Sequence, residues 1–359
     1  MSYWELVKAA LWGETAVWPE EESEQLLQLN ARQGTGALVY PMVLEQEGLS
    51  AATRTQMKAV CVATMQRQAE LQRTLETAWQ ALEHAGIEAV LLKGAGLAAL
   101  YPEPQRRTWS DIDIFVGKKQ YHPACAALRA AFPNAATFQE ESEHYKHYNL
   151  DTEHVPIEVH RVTVSLQHPL DEWRYAQMER EGMVRVRGVE FRGLEVKVPE
   201  ETFNVLFVFL HSWVHVIGGN ANVRQLCDLA LMLHHYADRI DKERLRRWLK
   251  ALHLLDVWQI YVYILQHNLG LPAQEAVFSY SGLEDERIRG LEEAFLTGLE
   301  VSGLEVSGNR FVRKWRTMLE RFETAKRIKR YSPSYARHMN VTTLLHGAGR
   351  LFAKDRKWE

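Results

Sequence analysis

Two aspartates set two residues apart, Asp111 and Asp113, alternate with Ile112, Ile114 and Val116 at the end of the run Arg107-Thr-Trp-Ser-Asp-Ile-Asp-Ile-Phe-Val116. In a strand, a period of two puts both carboxylates on one face and the apolar side chains on the other. Carboxylates directed to one side need a cation or solvent there. Oxygen donors so spaced suit Mg²⁺, which completes its shell with waters and substrate phosphates. A further acid, Glu158, stands in the apolar run Val155-Pro-Ile-Glu-Val159. Alternation sends Glu158 and His160 to one side, and Ile157, Val159 and Arg161 to the other. We expect this strand beside the Asp111/Asp113 strand, making Glu158 the third carboxylate of one site. Upstream, Val90-Leu-Leu-Lys-Gly-Ala-Gly96 reads as a short strand, a glycine turn and a short helix running through Leu100. Such a turn brings backbone N–H groups to a phosphate.

The elements that must hold these residues follow from periodicity. Residues 1–85 read as an N-terminal helical segment. Its longest part, Thr55 to Ala85, is almost free of Gly and Pro and carries Leu71, Leu75, Ala78 and Leu82 at helical spacing, with Gly86 as its cap. Residues 86–198 read as a small α/β core. Lys118 to Ala131 is its helix, and Ala136–Glu140, His144–Leu150 and Val155–Val159 are its strands, the last two joined by a turn at Asp151–His154. Met183–Arg187 and Phe191–Val198 read as two further β pieces. From Pro199 to residue 359 the pattern is a C-terminal helical domain. Phe203, Leu206, Phe207, Leu210, Val214 and Ile217 make one stripe, and helices are expected over Val223–His235, Asp241–Leu252, Trp258–Leu269 and Leu291–Leu299. The fold class is therefore α/β (α+β), a small mixed sheet flanked by helices on both sides in sequence.

Composition excludes several classes. The 359 residues are 46% apolar and carry a formal net charge of -3, so no global field argues for nucleic acid or membrane. Cys61, Cys125 and Cys227 are far apart and odd in number, which fits neither a disulfide framework nor a zinc spacing and points to the cytoplasm. No uncharged apolar run of about 20 residues occurs, and the N-terminus has no apolar run of signal-peptide length. The stretch from Arg310 to Glu359 is basic, with fourteen Lys/Arg against four Asp/Glu. With Trp315, Phe322, Tyr331 and Tyr335 among its charges it reads either as a solvated helix face or as an RNA-binding tail that uses phosphate contacts and stacking.

Leu91-Leu-Lys-Gly94, Arg107-x-x-Ser-Asp-Ile-Asp113 with Ile-Phe-Val after it, and Ile157-Glu-Val-His160 together resemble a bacterial family of uncharacterised nucleotidyltransferases of the DNA polymerase beta-type superfamily. The resemblance covers roughly residues 60 to 240 and includes His211, His215 and Arg224-x-x-x-Asp228. It implies metal-dependent transfer of a nucleoside monophosphate from an NTP to an acceptor, with release of pyrophosphate. Asp111, Asp113 and Glu158 would be both catalytic and metal-holding, with two Mg²⁺ (or Mn²⁺) ions roughly 3.5–4 Å apart. Lys93, Gly94, Ala95, Arg107 and Ser110 would bind the nucleotide, and His160, His211 and His215 would stand behind them. The turn reads Gly94-Ala95 where the superfamily usually shows Gly-Ser or Gly-Gly. The acceptor is left open among a small molecule, a sugar, a protein hydroxyl and an RNA end.

Simpler readings stand beside these. Arg107 either neutralises phosphate charge or braces Asp111 or Asp113. Glu158 either holds a metal or pairs with an arginine. His211 and His215, four apart on the helix face opposite the apolar stripe, suit a zinc pair by spacing but are read as a polar face lining a cleft. Arg224 and Asp228 are read as an i,i+4 helix ion pair. The alternative to an enzyme is a catalytically inactive nucleotide- or partner-binding regulatory protein on the same fold.

Overall fold

The structure is a computed structural model and describes residues 3–137, 147–153, 155–166, 169–279, 282, 285–298 and 310–352. Helices α1 (Tyr3–Trp12), α2 (Ser23–Gln33) and α3 (Gly36–Val43) lead into α4 (Ala51–His84), a 34-residue helix. The Ser50 side chain accepts a hydrogen bond from the Thr53 amide and caps its start. At its end Gly86 takes φ +68, while the Ile87 amide reaches back to the Leu82 carbonyl at 2.9 Å. That left-handed position satisfies the last carbonyls and turns the chain straight into the sheet.

The sheet follows: β1 (Val90–Leu92), α5 (Gly94–Ala98), β2 (Ile112–Phe115), α6 (Gly117–Ala131), β3 (Ala136–Thr137), β4 (His147–Asp151) and β5 (Pro156–His160). Its order is β1-β2-β5-β4-β3, with β2 and β5 parallel and the other neighbours antiparallel. The parallel pair is spanned by α6, β3 and β4, a crossover of the length a parallel join requires. Residues 138–140, 144–146 and His154, included in the expected strands and turn, lie outside the described residues.

Two expectations are corrected beyond the sheet. The stretch from Trp173, read as polar residues mixed with two short β pieces, begins instead inside α7 (Pro169–Met183), with Asp171, Tyr175, Met178 and Glu179 buried at helical spacing. The first β piece, expected over Met183–Arg187, runs instead over Arg187–Phe191 as β6 and pairs with β7 (Leu194–Val198) in one hairpin. Its turn residues Arg192 and Gly193 take φ 51 and φ 83, the positive pair that two-residue hairpins favour.

The remaining helices are α8 (Glu201–Gly218), α9 (Val223–His235), α10 (Lys242–Ala251), α11 (Leu255–His267), α12 (Asp285–Thr297), α13 (Arg310–Ile328) and α14 (Pro333–Phe352). No helix among the described residues is long and apolar enough to cross a membrane. Helix α8 is not one-sided. Val205, Val208, Phe209, Trp213 and Val216 are buried as deeply as the expected stripe, because α7, α9 and α10 all pack on it.

Two apolar clusters organise the molecule. One joins α1–α3 and the start of α4 to α8–α12; the other joins the sheet and hairpin to Leu71, Leu75, Ala78, Trp79 and Leu82 of α4. Helix α4 thus contributes to both, and each fully buried leucine is worth about 1.5–3 kcal/mol. The N-terminal helices share their core with the C-terminal ones. Tyr331 and Tyr335 belong to this core, so they are not open to stack on RNA bases; the side chain of Trp315 lies outside the described residues.

Candidate functional site

Register brings the three acids together. In the parallel pair Asp113 stands opposite Glu158, so both side chains leave the same face. Strand β2 begins at Ile112, which places Asp111 one residue before it rather than inside it. Even so, one oxygen from each of Asp111, Asp113 and Glu158 lies within 4.8 Å of the others. On the other flank Leu92 pairs with Asp113, and the chain then turns sharply at Lys93, a non-glycine residue at φ 48. This uncommon conformation carries Nζ of Lys93 to 3.1 Å from Oδ1 of Asp113. His160 Nε2 donates to the same oxygen at 2.9 Å and lies 3.4 Å from Oε2 of Glu158.

These neighbours set the protonation states. Burial alone would raise the Asp113 carboxyl, but Lys93 and the bond from His160 outweigh it and hold it well below the ordinary range. Asp111 goes the other way: burial and the Asp113 charge push its carboxyl up against the pull of Lys93. Burial also opposes ionisation of Glu158, yet the bond from His160 brings it down. Burial would lower the His160 imidazole, and its bonds to Asp113 and Glu158 raise it. The site thus concentrates negative charge that a cation would relieve.

The glycine turn is fixed from behind. Gly94 takes φ +46, and a Cβ there would meet Cε3 of Trp109 at 3.1 Å, so conformation and space both call for glycine. Trp109 is anchored in turn by donating to Oε1 of Gln68 on α4. Arg107 closes the back of the turn: its Nη1 donates to the Gly94 carbonyl at 3.1 Å, while Nε and Nη2 grip the two oxygens of Asp228 at 2.6 and 2.7 Å. Tyr101 donates to the same aspartate at 2.8 Å.

This arrangement corrects two sequence readings. Arg107 braces neither Asp111 nor Asp113; it is buried and ties the turn to α9 through Asp228. Arg224 and Asp228 are not an i,i+4 pair either, since Arg224 donates to the Thr108 carbonyl. Both departures have one cause. Helix α9 packs against the segment before β2, and partners across that contact outcompete those along the helix.

From α8, His211 and His215 face the same space. Nζ of Lys93 donates to Nε2 of His211 at 3.2 Å, and the two imidazoles are 3.0 Å apart through their Nε2 atoms. Burial, then Lys93 and His215, hold His211 well below its ordinary range, so it is a neutral acceptor. Among the described residues no third ligand joins this pair, which fits a polar wall rather than a zinc pair. Acids, turn and histidines line one cavity of about 400 Å³, together with Ser110, Thr163, Ser165, Val214 and Asn222. A second, smaller cavity of about 170 Å³ shares Ser165 and Val214 with it and continues between α8 and α14.

Of the residues expected at the site, Lys93, Gly94, Arg107, Ser110, Asp111, Asp113, Glu158, His160, His211 and His215 line this cavity. Ala95 does not; its methyl group is fully buried in the sheet core. Sequence reasoning overlooked His147, which approaches Glu158 from β4 at 3.9 Å, and Gln68, whose partners lie on a different element. The signal for His147 was alternation within its strand, where it falls on the same face as Asn149, opposite Glu158.

Compared with known proteins, residues 19–270 match the family described as uncharacterised nucleotidyltransferase. A search of the curated proteins finds no match. Among solved structures, an antigenic nucleotidyltransferase-like protein from Paracoccidioides brasiliensis is 16% identical, covers 57% of this chain and 95% of its own, and gives a TM-score of 0.34. That likeness is too weak to relate the two folds.

Proposed function

The chain belongs to the uncharacterised nucleotidyltransferase family, and from that premise we propose that it moves a nucleoside monophosphate from an NTP to an acceptor at the Asp111, Asp113 and Glu158 cluster. The observation that carries this reading is the convergence of three carboxylates, from two parallel strands and the residue before one of them, on a cavity large enough for a nucleotide. We further propose that the chain belongs to the polymerase beta-type superfamily.

The acceptor oxygen attacks the α-phosphorus, the bond from that phosphorus to the bridging oxygen of the β-phosphate breaks, and pyrophosphate leaves. Glu158, partly exposed at the cavity, is positioned to take the acceptor's proton. The donor set of hard oxygens fits Mg²⁺ or Mn²⁺, held by Asp111, Asp113 and Glu158. Bound there, such an ion neutralises phosphate charge and favours the ionised acceptor. Lys93 adds a fixed positive charge beside the phosphates, and the Gly94 turn brings backbone close to them. Arg107 keeps that turn in place. The acceptor occupies the adjoining cavity at Ser165 and Val214, between the α/β unit proposed at 86–198 and the helical unit proposed at 199–359. Pyrophosphate release measured with each NTP, an acceptor pool and either metal tests this: we expect release that requires the divalent ion and vanishes in Asp111→Asn.

One observation favours a non-catalytic nucleotide-binding protein. Asp113 is already paired with Lys93 and His160, so its charge is satisfied without an ion. Calorimetry separates the two readings. Binding of NTP that is indifferent to Mg²⁺, with no pyrophosphate released, favours the binder.

A further inference from the structure

Strand β4 lies antiparallel to β5 with His147 directly opposite His160 and Asn149 opposite Glu158. Cross-strand partners project to the same face. The imidazoles of His147 and His160 therefore stand side by side, ring centres 5.1 Å apart, on the face that carries Glu158. Oε2 of Glu158 is 3.9 Å from Nε2 of His147 and 3.4 Å from Nε2 of His160. One donor atom from each of the three lies within 4.8 Å of the others, the same closeness that holds for Asp111, Asp113 and Glu158. Glu158 belongs to both groups.

We propose that this face holds a second, chemically distinct cation position, formed by His147, His160 and Glu158 and selective for a divalent transition ion such as Mn²⁺ or Zn²⁺. The inference rests on the metal-dependent reading above and shares Glu158 with it, but adds His147 and His160, which that reading does not need as ligands. Two imidazoles and a carboxylate form a donor set that suits transition ions, whereas Mg²⁺ prefers oxygen throughout, and binding through Nε2 of His160 releases the proton it donates to Asp113. The neighbouring oxygen-only group suits Mg²⁺. A carboxylate shared by both groups has two oxygens and can serve each with one; Glu158 takes the acceptor's proton only while the second position is empty. His147 and His160 approach from two adjacent strands, so the paired backbone fixes their separation, as a metal site on rigid elements requires. The family's acids thus acquire a nitrogen-bearing neighbour, and the site distinguishes two kinds of ion.

The test uses the full chain and Mn²⁺ alone as probe, without nucleotide. Electron spin resonance counts bound Mn²⁺, and spin-echo modulation from ¹⁴N reports imidazole in its shell. The wild type is expected to bind two equivalents, with clear nitrogen modulation. His147→Ala, a change at a partly exposed position of β4, should lose one equivalent. Asp111→Asn should weaken the other and keep the nitrogen signal. Zn²⁺ should displace one Mn²⁺ from the wild type and none from His147→Ala. Circular dichroism of each variant shows that its fold is kept. Absence of nitrogen modulation, or two equivalents retained in His147→Ala, would overturn the proposal. In that event, metal-dependent pyrophosphate release that persists leaves the transferase reading standing. Loss of both Mn²⁺ binding at the oxygen group and release would remove that reading as well.

Discussion

Two buried carboxylates of this molecule, Asp228 and Asp113, each meet a cation, yet their surroundings differ in kind. Asp228 is gripped on both oxygens by Arg107 and accepts from Tyr101, and Arg107 uses its remaining edge on the Gly94 carbonyl. Every polar edge has a partner, so the pair is closed. Asp113 faces Lys93 and His160 on one oxygen, but two further acids crowd beside it at the wall of a cavity. The first arrangement holds a shape. The second concentrates like charge, which lowers stability unless something binds. A closed ion pair is thus the mark of a brace here, and an open cluster the mark of a site.

Breaking the open cluster should cost activity most. Asp113→Asn is expected to reduce transfer by about 10³-fold or more, since several kcal/mol of charge stabilisation go with the metal; transfer rates of the folded variant check this. Breaking the closed pair should cost stability instead. Arg107→Met leaves Asp228 buried and uncompensated and should destabilise by about 3–5 kcal/mol in urea unfolding, whereas adding Asp228→Leu should recover much of that loss.

His211 is kept neutral in the fold, its pKa depressed below that of the unfolded chain. A depressed histidine contributes stability that is fully present above the unfolded value near 6.5 and is lost as pH falls below it. Moving from pH 7.5 to 5.5 should therefore remove the contribution of His211, and His211→Gln should shift the pH dependence of stability in unfolding titrations by that loss. The smallest effect sharpens the contrast most. Asp111→Asn relieves like-charge crowding, so the metal-free protein should become more stable by about 0.5–1 kcal/mol while losing function. A destabilised Asp111→Asn variant would place Asp111 with the braces.

The site was largely legible because strand alternation is local. Asp113, Glu158 and His160 follow from a period of two, and Lys93 and Gly94 from a turn between two short apolar elements. Helices over Val223–His235 and 118–131 were equally readable from their spacing. What escaped depends on contacts distant in sequence. The grip of Arg107 on Asp228 spans 121 residues, and nothing near either one signals it. Helix α7 was masked by charges on its exposed face, although Pro169 followed by Asp171 and Glu172 marks a helix start. The full burial of α8 was hidden because a stripe on one face looks the same whether or not other helices cover the remaining faces.

We propose that the cluster transfers the α-phosphoryl group with its nucleoside. This transfer is tested most directly by labelling one NTP in parallel at the α- and the γ-phosphorus and incubating each with the protein, Mg²⁺ and a cell extract as acceptor pool. The α-label is expected to enter the acceptor and the γ-label to leave as pyrophosphate, with both lost in Asp113→Asn. Incorporation of γ-label, or nucleotide bound without metal and neither label moved, would contradict it.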